Sequence, residues 1–73
     1  MKEPSNVYIE LGKKLRARRQ EFGISTYALG QKIGCASPRV VEHEKGRVGM
    51  SVETLMKYCE ALDLTFLLVP KKK

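Results

Sequence analysis

ISTYALGQKIGCASPRVVEHEKG, residues Ile24 to Gly46, reads as two short amphipathic helices joined by a tight turn. Ser25, with Thr26 behind it, is a start signal, because a short hydroxyl side chain accepts a hydrogen bond from a first-turn N–H. Ala28, Leu29 and Ile33 follow at helical spacing. Gly34 supplies the left-handed backbone with which a chain leaves one helix and re-aims itself. The second helix is predicted to start around Ser37-Pro38, with Ser37 as cap and Pro38 where a missing N–H costs nothing. This is the shape of a helix-turn-helix, whose second helix can be offered to the major groove of DNA.

The flanks extend the pattern. Residues 1–5 read as a loose leader, and a first helix is predicted from about Val7 to Glu21, ended by Gly23. Tyr8, Leu11, Leu15 and Phe22 step by three, four and seven, which puts them on one face. Lys13, Lys14, Arg16, Arg18 and Arg19 fill the rest as a mainly solvated run. After a Gly-containing loop, Ser51 caps a last helix with Glu53 in its first turn, where a carboxylate suits the positive helix end. Val52, Leu55, Met56, Cys59 and Leu62 form its expected buried stripe.

Thr65-Phe66-Leu67-Leu68-Val69, stopped by Pro70 and the tail Lys71-Lys72-Lys73, changes period and suits a strand. A lone strand leaves backbone donors and acceptors unpaired. Pairing with the same strand of a second copy across a twofold axis is the expected solution; packing as an irregular tail over the first and last helices is the alternative. The organisation expected is therefore a domain over 6–64, a dimerisation strand over 65–70 and a basic tail over 71–73.

Composition narrows the function classes. A chain of 73 residues forms one domain with a marginal core. Two cysteines without CxxC spacing and one histidine argue against a disulfide framework or closed zinc site, so association with another chain is the remaining support. The net charge of +6 implies a polyanionic partner. No apolar run approaches a membrane span and the N-terminus lacks a signal-peptide core, so a reducing cytoplasm is expected, with Cys35 and Cys59 as small buried hydrophobes. There is no paired-carboxylate, Cys–His or Gly-rich phosphate motif, and neither an enzyme nor a cofactor is expected.

LGKKLRARRQEFGIS, ALGQKIG, the EKG ending of VVEHEKG, and SVETLMKYCEALDL, in this order and spacing, resemble the lambda-repressor/Cro-like (XRE) helix-turn-helix family over about residues 8 to 64. The apolar segment after the last helix resembles the C-terminal strand of HipB-type antitoxins. The fold implied is all-α, a four- to five-helix bundle with a short C-terminal β-strand pairing in a homodimer through Thr65, Phe66, Leu67, Leu68 and Val69.

The resemblance also implies site residues. Arg19 takes the place of a helix 1 arginine that pairs with the glutamate closing the recognition helix, here Glu44. Thr26 stands where relatives touch the phosphate backbone, often with glutamine, and Lys45 and Arg47 match positions that clamp phosphates. Ser37 and Pro38 match base-reading positions, although proline offers only an apolar contact, for instance with a thymine methyl. Arg39 and Glu42 are the polar side chains left to reach base edges, with phosphate binding and a solvated role as their respective alternatives. Val40 matches the apolar position that docks helix 3 onto helix 2. His43 stands where an apolar or aromatic residue is usual, and a partly buried, hydrogen-bonded imidazole is expected there.

The function implied is a DNA-binding transcriptional repressor acting as a homodimer on a palindromic double-stranded operator. The C-terminal segment adds the expectation of an antitoxin that represses its own operon and binds a toxin such as a HipA-like kinase. The alternatives are a stand-alone regulator of phage or restriction–modification type, and a protein-interaction module that has lost DNA binding.

Overall fold

The computed structural model describes residues 5–65, and these form four helices: α1 (Ser5–Phe22), α2 (Thr26–Ile33), α3 (Ser37–Lys45) and α4 (Val52–Ala61). No strand occurs among the described residues. Of the expected pairing segment only Thr65 is described, exposed and outside any helix; Phe66 to Val69 lie outside the described residues.

Three of the helix starts and stops follow from local chemistry. The Ser25 hydroxyl accepts from the Ala28 N–H at 3.0 Å, and the Ser51 hydroxyl accepts from the Thr54 N–H at 3.1 Å. Gly34 adopts φ 80°, ψ 38°, and its N–H returns to the Gly30 carbonyl at 2.8 Å. The start of α3 departs from the sequence reading by one residue. Ala36 is the N-cap, with no side-chain cap bond, while Ser37 and Pro38 already lie inside the helix. The Ser37 hydroxyl is engaged elsewhere, 2.7 Å from that of Thr26.

α2 packs against both α3 and α4, and α1 crosses α3. Leu15, Leu29, Ile33, Val40, Tyr58 and Leu62 make the core, with Ile24, Cys35, Met50, Ala61 and Leu64 packed at its edge. Each such large apolar side chain contributes about 1.5–3 kcal/mol when fully buried, so a small set carries much of the stability. The α1–α3 crossing is unusually close at Gly12: a Cβ there would meet the backbone carbonyl of Glu44 and lie 2.6 Å from that of His43.

Two apolar expectations are corrected. In α4 the buried residues are Leu55, Tyr58 and Cys59, followed by Leu62, whereas Val52 and Met56 are 65% and 51% exposed. Tyr58 enters the core because its phenol finds a buried partner in His43 at 2.7 Å. Phe22 is also exposed, and the Arg18 guanidinium stands 4.8 Å above its ring. Arg18 in turn donates from Nε to the Leu62 carbonyl at 2.9 Å, fastening the end of α1 to the end of α4. Cys59 is buried as expected, and burial pushes its thiol pKa up; Cys35 is half-buried at the core's edge.

Candidate nucleic-acid interface

The beginnings of α2 and α3 are pinned side by side by the Thr26–Ser37 hydroxyl contact. Neither first turn contains an acidic residue. The partial positive charges of two helix N-termini therefore fall close together, an arrangement that favours an anion. Pro38 and Arg39 sit exposed in the first turn of α3, so the leading end of this helix is open to solvent.

A cleft bordered by Thr26 of α2 runs along the middle and end of α3 and is lined by Arg16 and Arg19 of α1 and by Val41, Glu44 and Lys45 of α3. Arg19 meets Glu44 twice, from Nε to Oε2 at 2.6 Å and from Nη2 to Oε1 at 3.1 Å, and donates from Nη1 to the Ile24 carbonyl at 2.9 Å. The pair is nearly buried, with side-chain exposures of 13% and 5%, and hydrogen bonding to Glu44 raises the Arg19 pKa further. With Glu44 neutralised in this way, the exposed cations Arg16 and Lys45 set the sign of the cleft.

His43 and Tyr58 support the helix from behind. Their rings meet edge to face at 5.5 Å, and burial, with the Arg39 charge adding to it, lowers the His43 pKa. Burial chiefly, then the nearby thiol and carboxyl of Cys35 and Glu44, raises that of Tyr58. Both groups are thus held uncharged at neutral pH, as suits an apolar core.

Residues 14–66 match the Cro/C1-type HTH DNA-binding domain. The chain belongs to this family. An HTH-type transcriptional regulator of Haemophilus influenzae is 36% identical over 66 residues, covering 90% of this chain and 67% of the relative. Another, of Sinorhizobium medicae, is 36% identical over 52 residues, covering 68% of this chain but only 37% of that relative, so this chain spans little more than a third of it. Among solved structures, the restriction-modification controller protein C.AhdI from Aeromonas hydrophila superposes with a TM-score of 0.81 at 25% identity, covering 88% of this chain and 93% of that one. The P22 c2 repressor, solved in complex with a synthetic operator, gives 0.72 at 27% identity, covering 75% and 83%.

In this Cro/C1-type domain the structure groups the sequence-assigned positions unevenly. Thr26, Ser37, Pro38, Arg39 and Lys45 gather around the leading end and cleft side of α3. Glu42 and Arg47 face one another at 3.5 Å, with side-chain exposures of 36% and 61%, a surface pair worth little on its own. Val40 is fully buried between α2 and α3, and His43 is 3% exposed, more enclosed than the partial burial expected. Two lining residues escaped the sequence reading. Arg16 reads in the sequence as part of the solvated face of α1, although its place three residues before Arg19 sets it one turn away on the same side. Val41 carries no signal of its own between buried Val40 and polar Glu42, although it follows Pro38 by three. Among the described residues no helix is long and apolar enough to cross a membrane.

Proposed function

We propose that the protein is a sequence-specific DNA-binding transcriptional regulator, acting as a repressor, that inserts the leading end of α3 into a major groove. The observation that carries this reading is the joining of the α2 and α3 starts through Thr26 and Ser37, with Pro38 and Arg39 exposed there and with Arg16 and Lys45 lining the cleft that Thr26 also borders. Ser37, Pro38, Arg39 and Glu42 are the base-reading candidates; Thr26, Lys45, Arg47 and, from the cleft, Arg16 hold phosphates. The small core and net charge of +6 support a homodimer on a palindromic operator, with half-sites about 34–36 Å apart or a multiple of that spacing.

The likeness to a repressor and to a restriction-modification controller favours the stand-alone regulator among the finer readings. The antitoxin version rests on the apolar segment Thr65–Val69, and co-purification with the product of an adjacent toxin gene is its requirement. Fluorescence anisotropy with duplexes from the protein's own promoter tests the main reading. Preference over random duplex at moderate salt is expected, with affinity falling steeply as salt rises. Equal binding to both leaves the protein-interaction module as the better account.

A further inference from the structure

Glu42 follows Pro38 by four residues and precedes Lys45 by three, so it shares their outward side of α3, opposite the buried Val40, His43 and Glu44. A carboxylate in the middle of a face offered to a polyanion is repelled by phosphates unless a cation neutralises it. Arg47 is that cation, Nη1 to Oε2 at 3.5 Å. The end of the helix sets its place: left-handed Gly46 (φ 73°, ψ 21°) turns the chain so that the Arg47 N–H donates to the Glu42 carbonyl at 3.1 Å. Both carboxylates of α3 thus have an arginine, but the two pairs differ in kind. Arg19–Glu44 is nearly buried and doubly hydrogen-bonded. Glu42–Arg47 is longer than an ordinary hydrogen bond and open to water, so an incoming phosphate can replace the carboxylate at small cost.

Resting on the regulator reading above, we propose that Glu42 is an internal stand-in for phosphate that withholds Arg47 from DNA until the operator offers the freed carboxylate a cytosine amino group. On a random duplex, transfer of Arg47 to phosphate leaves Glu42 unpaired among like charges, so the ion pair persists and no net contact is gained. Opposite a cytosine, the N4 amino group donates to Glu42 while Arg47 grips phosphate. Reading of one base is thereby coupled to one phosphate contact, and changing that base alters the salt dependence of binding. A base read independently of the backbone leaves the salt slope unchanged.

Duplex selected from a random pool supplies the operator for the test. Each C·G pair of one half-site, on either strand, is replaced by T·A, which sets a carbonyl where the amino group stood. In anisotropy titrations of the parent protein, one position should cost roughly tenfold in affinity and reduce the slope of log affinity against log salt by about one. With Arg47→Ala, the two duplexes should give the same slope. Glu42→Gln removes the charge that retains Arg47, so binding to random duplex should strengthen by up to about fivefold per protomer and its slope should steepen by about one. The same substitution made together with Arg47→Ala should leave the slope unchanged; circular dichroism checks that each variant is folded. If no C·G replacement moves the slope, or if Glu42→Gln acts on random duplex equally with and without Arg47, the exchange is overturned and the regulator reading stands. A pool with no enrichment overturns both.

Discussion

Arg19 of α1 and Glu44 of α3 form two parallel hydrogen bonds at 2.6 and 3.1 Å while almost hidden from solvent, so each is the other's main compensation for burial. The third bond, from Arg19 to the Ile24 carbonyl, ties the same guanidinium to the segment entering α2. One side chain thus holds α1, the approach to α2 and the end of α3 in register.

Arg19→Ala is therefore expected to cost about 3–5 kcal/mol, because it leaves a carboxylate buried and unpaired. For a small domain this is a large share of the total stability. Replacing both partners by apolar residues, Arg19→Met with Glu44→Leu, should recover most of the loss. Urea denaturation of the two single variants and the double variant measures this. A double variant as unstable as Arg19→Ala would show that the pair's burial is not the source of the cost.

Burial of His43, with the nearby Arg39 charge adding to it, lowers its pKa and gives the fold a pH dependence of definite sign. Above the unfolded value near 6.5 the imidazole is neutral in both states, and this group adds no pH dependence. As the pH falls below 6.5, the unfolded chain takes up a proton that the folded chain resists, so stability is lost until the lower folded value is passed. The slope should not exceed about 1.4 kcal/mol per pH unit, the limit for one proton. His43→Gln keeps an acceptor for the phenol and should flatten this part of the profile. Thermal melting of both forms between pH 7 and pH 5 measures it, and parallel profiles would remove His43 as the titrating group.

The legibility of this chain depended on whether a residue's role was local. Ser25, Gly34 and Ser51 act on backbone groups a few residues away, and the sequence alone identified them. Ser37 looked like a cap for the same reason, but a hydroxyl eleven residues earlier in the chain, that of Thr26, takes up its side chain. In α4 the three-and-four rhythm fits Val52, Leu55, Met56 and Cys59 as well as Leu55, Tyr58, Cys59 and Leu62. Hydropathy alone prefers methionine to tyrosine. Burial of Tyr58 depends on a histidine fifteen positions away, which no periodicity reveals. The Arg19–Glu44 positions came from family resemblance, since nothing in the spacing of twenty-five residues requires them to meet. Cleft residues Arg16 and Val41 were hidden by their neighbours' stronger signals.

Gly12 belongs to the same long-range class. A glycine inside a helix is ordinarily weakened by its backbone freedom, and Gly→Ala at an open site would add about 0.5–1 kcal/mol. Here the added methyl would run into the carbonyls of His43 and Glu44, forcing α1 away from the end of the proposed recognition helix. Gly12→Ala should lose about 1–3 kcal/mol, the usual cost of overpacking a rigid contact. A variant at least as stable as the parent in urea would show that α1 and α3 can separate without penalty.

Arg39 and Lys45 stand at opposite ends of α3, both exposed, and the proposed reading assigns them different work. Arg39 in the first turn can reach a guanine edge through two hydrogen bonds, whereas Lys45 in the last turn lines the cleft and meets phosphate as a point charge. Arg39→Ala should therefore weaken binding to the selected operator by about 1–3 kcal/mol while leaving binding to random duplex nearly unchanged. Lys45→Ala should weaken both by a similar factor and reduce the slope of log affinity against log salt by about one. Anisotropy titrations at several salt concentrations separate the two patterns. If Arg39→Ala lowers binding to every duplex alike and shifts the salt slope, Arg39 is a phosphate contact. Sequence choice then falls to Ser37, Pro38 and Glu42.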